Sequence, residues 1–461
     1  MTAKSHIIVG LMVPFFSLVL NMSMFTVAVP AIRDDFGLLA DTTSWVVMAY
    51  TIPYVLFMPF HGRLGDLLGA RNLIVVGMVS FGLGTAVCMA SPGLGLLFAG
   101  RIIQAAGGAS VNPLSLSIIS RHFDSDSRGR AMGTWNAAGP LTGIIGPVIG
   151  GVLIDAFSWR AIFLPMLAAA ALAIVMLFWL VPKDPVRSEE ERSIRGFDWV
   201  GMILTATTLT TFILYLSSRP VTGRDPFTDW RLLLAFIASA AVWIVWERNR
   251  SIPFVAISLF GRRQFALAAS SVSVRMILLG ALNFLVPLYA ADVLGIPSAQ
   301  TGVMITLHSA ALLVTMRFGG SLADAWDRKL PVVIGLSGQT LMLLVLAVLP
   351  GATRVGLIAP MMLHGAFAGL SLASLHRTAM HEVPDGASGV GAGTYSMSRF
   401  IGSLLGATVM GIALEAALST AGTTQGAYQR SFIVAAALGL LGVFSSLAIR
   451  SSRRRATAAN L

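Results

Sequence analysis

Six side chains stand where charged or titratable groups are rarely found. Arg101, Arg275, Arg317, Arg399, His308 and His364 each fall inside a long apolar run. A guanidinium keeps its proton at any working pH, so each arginine is a fixed positive charge that needs an acid, a carbonyl or a bound anion beside it. Histidine titrates near neutrality, so His308 or His364 can carry a proton, although each is equally explained as a hydrogen-bonded packing residue. No carboxylate falls near the middle of a run. Asp155 and Glu415 lie at the ends of theirs, and Asp66 and Asp324 at the opposite rim. Asn21 does fall at mid-run, where its amide hydrogen-bonds but cannot titrate. Arginines without acids should repel lipophilic cations and suit neutral or anionic amphiphiles.

Other chemistries lack their parts. His376, Arg377, His381 and Asp385 share one polar connection, but no nucleophile and no metal-ligand spacing accompany them. There is no GxxxxGK[ST] phosphate loop. The single cysteine, Cys88, lies in an apolar run. Neither an enzyme nor a primary pump is expected, and no metal or cofactor.

The elements that must position these groups are helices in a bilayer. Of the 461 residues 56% are hydrophobic and 11% charged, far too little charge to cover a soluble protein. Apolar runs occupy 7–29, 43–60, 73–90, 94–119, 131–154 and 161–181, then 199–216 and 232–246, then 265–289, 301–318, 331–349, 355–375, 392–414 and 432–449. Their lengths match a bilayer crossing, and they lack the alternation of barrel strands. The expectation is an all-α polytopic membrane protein of about 14 transmembrane helices, with both termini on one side and the first run an uncleaved span. Lys and Arg favour one set of loops by roughly three to one, which makes that set, and both termini, cytoplasmic. The net charge of +11 is thereby read as topology, and no nucleic-acid partner is expected.

HGRLGDLLGARN, 61–72, spends three of the chain's few charges on one short connection, with Arg63, Asp66 and Arg71 among Gly62, Gly65 and Gly69. Gly62-Arg-Leu-Gly-Asp66 recurs as Gly320-Ser-Leu-Ala-Asp324, with Arg328 or Lys329 as the counterpart of Arg71. Each copy follows the second span of a six-span block, so two similar bundles are implied, with two helices inserted between them. The expected divisions are 1–182, 183–250 and 251–461, the middle one opening with the charged linker 181–198.

In these motifs the chain resembles the major facilitator superfamily, and within it the fourteen-span drug:proton antiporters. Residues 62–71 look like that superfamily's cytoplasmic loop signature, which implies a conformational latch formed by Gly62, Arg63, Asp66, Arg71, Gly320, Asp324 and Arg328; a solvated, topology-setting loop is the plainer alternative. LFAGRIIQAAGGASVNP, 97–113, looks like the fourth-span motif, with Arg101, Gln104, Gly107 and Pro113 in register and Ala105 where a glycine is usual. The resemblance ties Arg101 to proton transfer, which as a permanent cation it would assist by tuning a neighbour. GPLTGIIGPVIGG, 139–151, looks like the antiporter signature, with Gly139, Pro140, Gly143, Gly146, Pro147 and Gly150 on a bendable, closely packed helix. NMSMFTVAVP, 21–30, falls on the first-span motif, with Asn21 where the family has an aspartate.

The resemblance implies a secondary transporter, acting as a monomer in the cell membrane and exporting small amphiphiles by alternating access with the proton gradient as energy source. Asn21 keeps open a dedicated exporter or facilitator of one neutral or anionic metabolite, without protons. The expected coupling and cavity groups are Asn21, Arg101, Gln104, Arg275 and His308. Tyr50, Tyr54, Trp135, Asn136 and Asn283 are candidate substrate contacts, each also explicable as packing.

Overall fold

The computed structural model describes residues 3–183, 198–250, 253–325, 328–349, 353–384 and 388–451, and among these every regular element is helical. In hydrocarbon each backbone N–H and C=O must be satisfied within its own segment, and a helix does this whatever the intrinsic propensities. The elements are α1 (Ala3–Phe36), α2 (Ala40–Leu68), α3 (Ala70–Met89), α4 (Leu94–Gly108), α5 (Val111–His122), α6 (Ser125–Ala156) and α7 (Phe163–Leu180). After these come α8 (Trp199–Leu216), a short α9 (Arg219–Thr222) and α10 (Trp230–Arg248). The chain ends with α11 (Arg263–Asp292), α12 (Ser298–Ala325), α13 (Lys329–Val348), α14 (Arg354–Met380), α15 (Ser388–Thr420) and α16 (Thr424–Leu447).

Thirteen helices among the described residues are long and apolar enough to cross a membrane, with α4 and α5 counting as one span. The remaining expected run lies on α6, whose apolar part is Leu141–Ala156. The break between α4 and α5 follows from Pro113, which has no N–H for the Ala109 carbonyl and whose ring crowds the preceding turn.

Contacts between helices repeat. In the first half α1 packs on α6 and α7, α3 on α4 and α7, and α2 on α4. In the second half α11 packs on α15 and α16, α13 on α14 and α16, and α12 on α14. Two six-span lobes of the same plan result. They meet along two helix pairs, α6 with α12 and α2 with α15, while α8 and α10 pair with each other and α8 rests on α2 and α15.

The cores show how the lobes sit. One large apolar cluster draws on both lobes, joining Phe25, Val46 and Phe163 to Leu285, Ile305, Met410 and Phe432. Two further clusters belong to single lobes: Ile7, Leu73, Leu114 and Trp135 in the first, Phe265, Val332, Leu375 and Tyr395 in the second. The shared cluster lies toward the face holding the α1–α2 connection, and the separate ones toward the face holding both chain ends. The lobes therefore share their largest apolar contact at one face, the outer one by the distribution of basic residues, and toward the other keep a smaller one, where Val55 of α2 meets Met397 of α15.

Candidate functional site

Arg101 is the centre of the site. Its side chain is 2% exposed and rises from α4 between the Phe25 and Tyr50 rings, 3.7 and 4.4 Å from their centroids. Its Nη1 donates to the Asn21 Oδ1 at 2.9 Å and to the Gln104 Oε1 at 2.9 Å, while Gln104 donates onward to the Thr85 hydroxyl at 2.8 Å. Arg101 Nε and Asn21 Nδ2 are buried without a hydrogen-bond partner. A cation so placed is held by amide dipoles and aromatic faces, with no carboxylate in its first contacts.

Arg101 borders a cavity of about 340 Å³ between the lobes, lined also by Tyr50 and Gly143 from the first lobe and by Asn283, His308 and Ser309 from the second. His308, on α12, is 2% exposed and lies 3.2 Å from the Nδ1 of His364 on α14, whose Nε2 is buried without a partner. Arg275, on α11, lies behind the cavity wall. Its Nε donates to the Ala368 carbonyl at 2.9 Å, and its charged neighbour is another guanidinium, that of Arg399. Arg317 is exposed on α12.

Of the expected contacts, Tyr50 and Asn283 line the cavity. Tyr54 stands one step back, stacked on Tyr50 at 5.6 Å and holding the Asn112 amide at 2.8 Å. Trp135 lies away from the cavity: it stacks on Phe15 at 4.5 Å and donates to the Leu11 carbonyl at 3.1 Å, packing within its own lobe. The side chain of Asn136 lies outside the described residues.

The helix carrying Gly139 and Gly150 touches both lobes. A Cβ on Gly146 would meet the Ser23 hydroxyl of α1 at 2.0 Å, and one on Gly151 would meet the Ser298 carbonyl of α12 at 2.3 Å. From the other side, a Cβ on Gly302 would meet the Pro147 carbonyl at 2.2 Å. Gly143 faces open space in the cavity. The side chain of Pro140 lies outside the described residues.

The same holds for the side chains of Arg63 and Asp66 and of Gly320 and Asp324. Arg71 is placed within the first lobe, where Nη2 donates to the Phe178 carbonyl of α7 at 2.9 Å. Arg328 borders a cleft on the inner rim with Gln264, His381, Glu382 and Arg450. In the first lobe, Lys4 at the start of α1 pairs with Asp124 ahead of α6 at 2.8 Å and holds that carboxyl below its usual range.

The outer face is closed by residues that sequence reasoning set aside. Asp155, at the end of α6, accepts from the Ser298 and Ala299 amides at 2.9 and 2.8 Å, the first amides of α12 in the other lobe. Glu415, on α15, accepts from the Ala40 amide at 3.0 Å, the first of α2 in the other lobe. Each carboxylate caps a positive helix end across the lobe boundary. Arg33 on α1 donates to Asp292 on α11 at 2.7 Å, and Tyr428 donates to the same carboxylate. Arg219, from the inserted segment, lies 3.4 Å from Asp41 and 3.6 Å from Glu415, so it bridges α2 and α15. The signal for these pairs was an acid at the outer end of the fifth span in both halves.

Comparison with known proteins agrees with this geometry. The family model described as Major Facilitator Superfamily matches residues 11–407, and again 268–460. The chain is 26% identical over 449 residues to an uncharacterized MFS-type transporter, YvkA, of Bacillus subtilis, covering 96% of each. It is 28% identical to the multidrug resistance protein Stp of Mycobacterium tuberculosis (88% of this chain, 74% of the relative). It is 26% identical to the riboflavin transporter RibZ of Clostridioides difficile (88% and 87%). Among solved structures, a bacterial homolog of the human lysosomal transporter Spinster, in an inward-facing and occupied conformation, superposes with a TM-score of 0.67 at 14% identity, covering 97% of each chain. A POT family transporter in complex with 5-aminolevulinic acid gives 0.69 at 14% identity, over 96% of this chain and 94% of that one.

Proposed function

Because the chain belongs to the major facilitator superfamily, we propose that it is a secondary active exporter. It carries small amphiphilic molecules out across the cytoplasmic membrane by alternating access, driven by inward proton flow. One observation carries this reading: the cavity at Arg101 lies between two lobes of the same plan and is sealed toward one face by contacts that cross between them. A pore must be closed on at least one side at every moment, and contacts between rocking bodies supply that closure. The bodies are 1–182 and 251–461, with 183–250 as an accessory pair of helices held against the α2–α15 seam. The segments 62–71 and 320–328, read as loops from the sequence but formed largely by the inner ends of α2 and α12, take the matching part on the inner face in the opposite state.

The proton site is the His308–His364 pair, since a carboxylate is lacking at Asn21 and elsewhere in the bilayer interior among the described residues. His308 lines the same cavity as Arg101, the one from α12 and the other from α4, and His364 stands behind it. The observation that favours a second reading is Asn21 itself: an amide at that place fits a carrier of one neutral or anionic metabolite that uses no protons. Purified protein in liposomes, loaded with substrate and given an acid or a neutral exterior, separates them. Antiport predicts several-fold faster export with the acid exterior and loss of that acceleration in His308→Gln. Equal rates under both conditions would favour the uncoupled carrier.

A further inference from the structure

The charged groups around the cavity share one sign. Arg101 reaches its edge, and Arg275 and Arg399 stand behind the second lobe's wall. The described carboxylates all lie near the ends of their helices or in the connections between them, Asp155, Asp292 and Glu415 on the outer face among them, and none lines the cavity. Arg101 in particular spends its bonds on two neutral amide oxygens and keeps a buried Nε without a partner. The donor geometry requires Asn21 to turn its oxygen to the guanidinium, which leaves the amide nitrogen beside it unpartnered as well. A buried guanidinium is ordinarily matched by an anion, because amide dipoles compensate only part of a full charge. Here the chain supplies the pocket, the cation and two idle donors, and it leaves out the acid.

We propose that the missing anion is the cargo: the cavity is a site for an organic anion, whose carboxylate or comparable single charge pairs with Arg101. The apolar body then lies along Phe25, Phe284 and Ile305, with the Asn283 amide and the Ser309 hydroxyl for its polar substituents. This names the substrate class for the exporter described above and rests on that reading for its transport step, though the binding step stands without it. The position of Asn21 follows directly. An aspartate there would form an internal ion pair with Arg101, neutralise the site and compete with an anionic ligand. The asparagine keeps the hydrogen bond and leaves the charge available.

Three dansyl probes of one fluorophore test the proposal: dansylglycine, with one negative charge, neutral dansylamide, and dansylcadaverine, with one positive charge. Binding is read by fluorescence anisotropy on the full chain in nanodiscs at neutral pH. Dansylglycine should bind tightest, by about tenfold over dansylcadaverine, for a charge of opposite sign near a desolvated guanidinium. Asn21→Asp and Gln104→Glu place a carboxylate on Arg101 from two different helices. Each should weaken dansylglycine by about tenfold and narrow or invert the ranking. Dansylcadaverine or dansylamide binding as tightly as dansylglycine would overturn the proposal, as would no detectable dansylglycine binding or an unchanged ranking in both monodisperse variants. If the variants do not fold, the ranking in the unmodified chain decides alone. Counterflow of the same probes in liposomes separates the two readings. Movement of the cation in preference to the anion keeps the exporter and ends the anion site. Tight anion binding without movement of any probe keeps the site and ends the exporter.

Discussion

Removing the Arg101 guanidinium has two opposed effects on stability. The Asn21 and Gln104 oxygens lose their donor, at about 1–3 kcal/mol for buried acceptors left unpaired. Against this, a buried charge without a carboxylate disappears, a relief of comparable or greater size. Arg101→Met, which keeps the length and the contacts with Phe25 and Tyr50, should therefore melt within a few degrees of the unmodified chain, or above it, in a detergent thermal-shift assay. Transport should fall by about tenfold to a hundredfold, the loss expected for a charged hydrogen bond to substrate. A large fall in melting temperature would instead make Arg101 a structural strut. The burial of Arg101, Gln104, Asn21 and His308 at or beside the cavity was legible as a cluster of candidates because polar groups at mid-span are costly and stand out against Leu, Val and Ala. Trp135 and Tyr54 were not distinguishable from Tyr50 in the same way. An aromatic residue suits lipid, core and cavity alike, and which it meets depends on helix rotation that an all-apolar span does not encode.

The two seams, α6–α12 and α2–α15, are closed by one device used twice. The fifth span of each lobe ends in a carboxylate, Asp155 or Glu415, and that carboxylate caps the second span of the opposite lobe. Such a cap contributes about 1 kcal/mol at an exposed helix end and more where it is partly buried. It exists only while the lobes touch, so all of that energy favours the outward-closed state. Asp155→Asn keeps an acceptor and should act mildly. Asp155→Ala with Glu415→Ala removes both caps and should raise the population open to the outside by about tenfold, for a combined loss near 1–2 kcal/mol. Labelling of a cysteine placed on the cavity wall by a membrane-impermeant maleimide added outside reads this directly. Unchanged labelling would mean that Gly151 and Gly302 packing alone keeps the seam shut. Arg219→Ala should have a smaller effect in the same direction. Its ion pairs to Asp41 and Glu415 are 3.4 Å or longer, and its strongest hydrogen-bond partner, which holds its pKa above the ordinary arginine value, is the neighbouring Asp225. These contacts escaped the sequence because acids at span ends look like ordinary interfacial residues. Only the fold reveals that two of them meet helix starts from the other half.

At the scale of the whole molecule, the twofold plan was readable because Gly62–Asp66 and Gly320–Asp324 repeat at the same place in each block, and apolar length sets the spans. Which face is closed was not readable. The two states share every residue and every span, and they differ by a few kcal/mol of contacts between bodies rather than by anything local. Its closed outer seam gives the molecule a definite consequence. If transport requires the lobes to part at that face, holding them together must stop it without harming either lobe. A cysteine in place of Asp155 and another in place of Ser298, joined by a short bifunctional thiol reagent, would fasten α6 to α12 where they already touch. The native Cys88 is fully buried between α3 and α4, so it should not compete for the reagent. Export by the linked protein should fall at least about tenfold, because the outward-open state becomes unreachable while the inward-open one stays populated. Binding of substrate from the inner face should persist at its original affinity, since the link fastens only contacts that already close the outer face. A cleavable linker makes the same sample its own control: cutting it should restore the rate. Continued export through the fastened protein would mean that substrate crosses without the lobes separating, and the rocking mechanism would have to be abandoned for this chain.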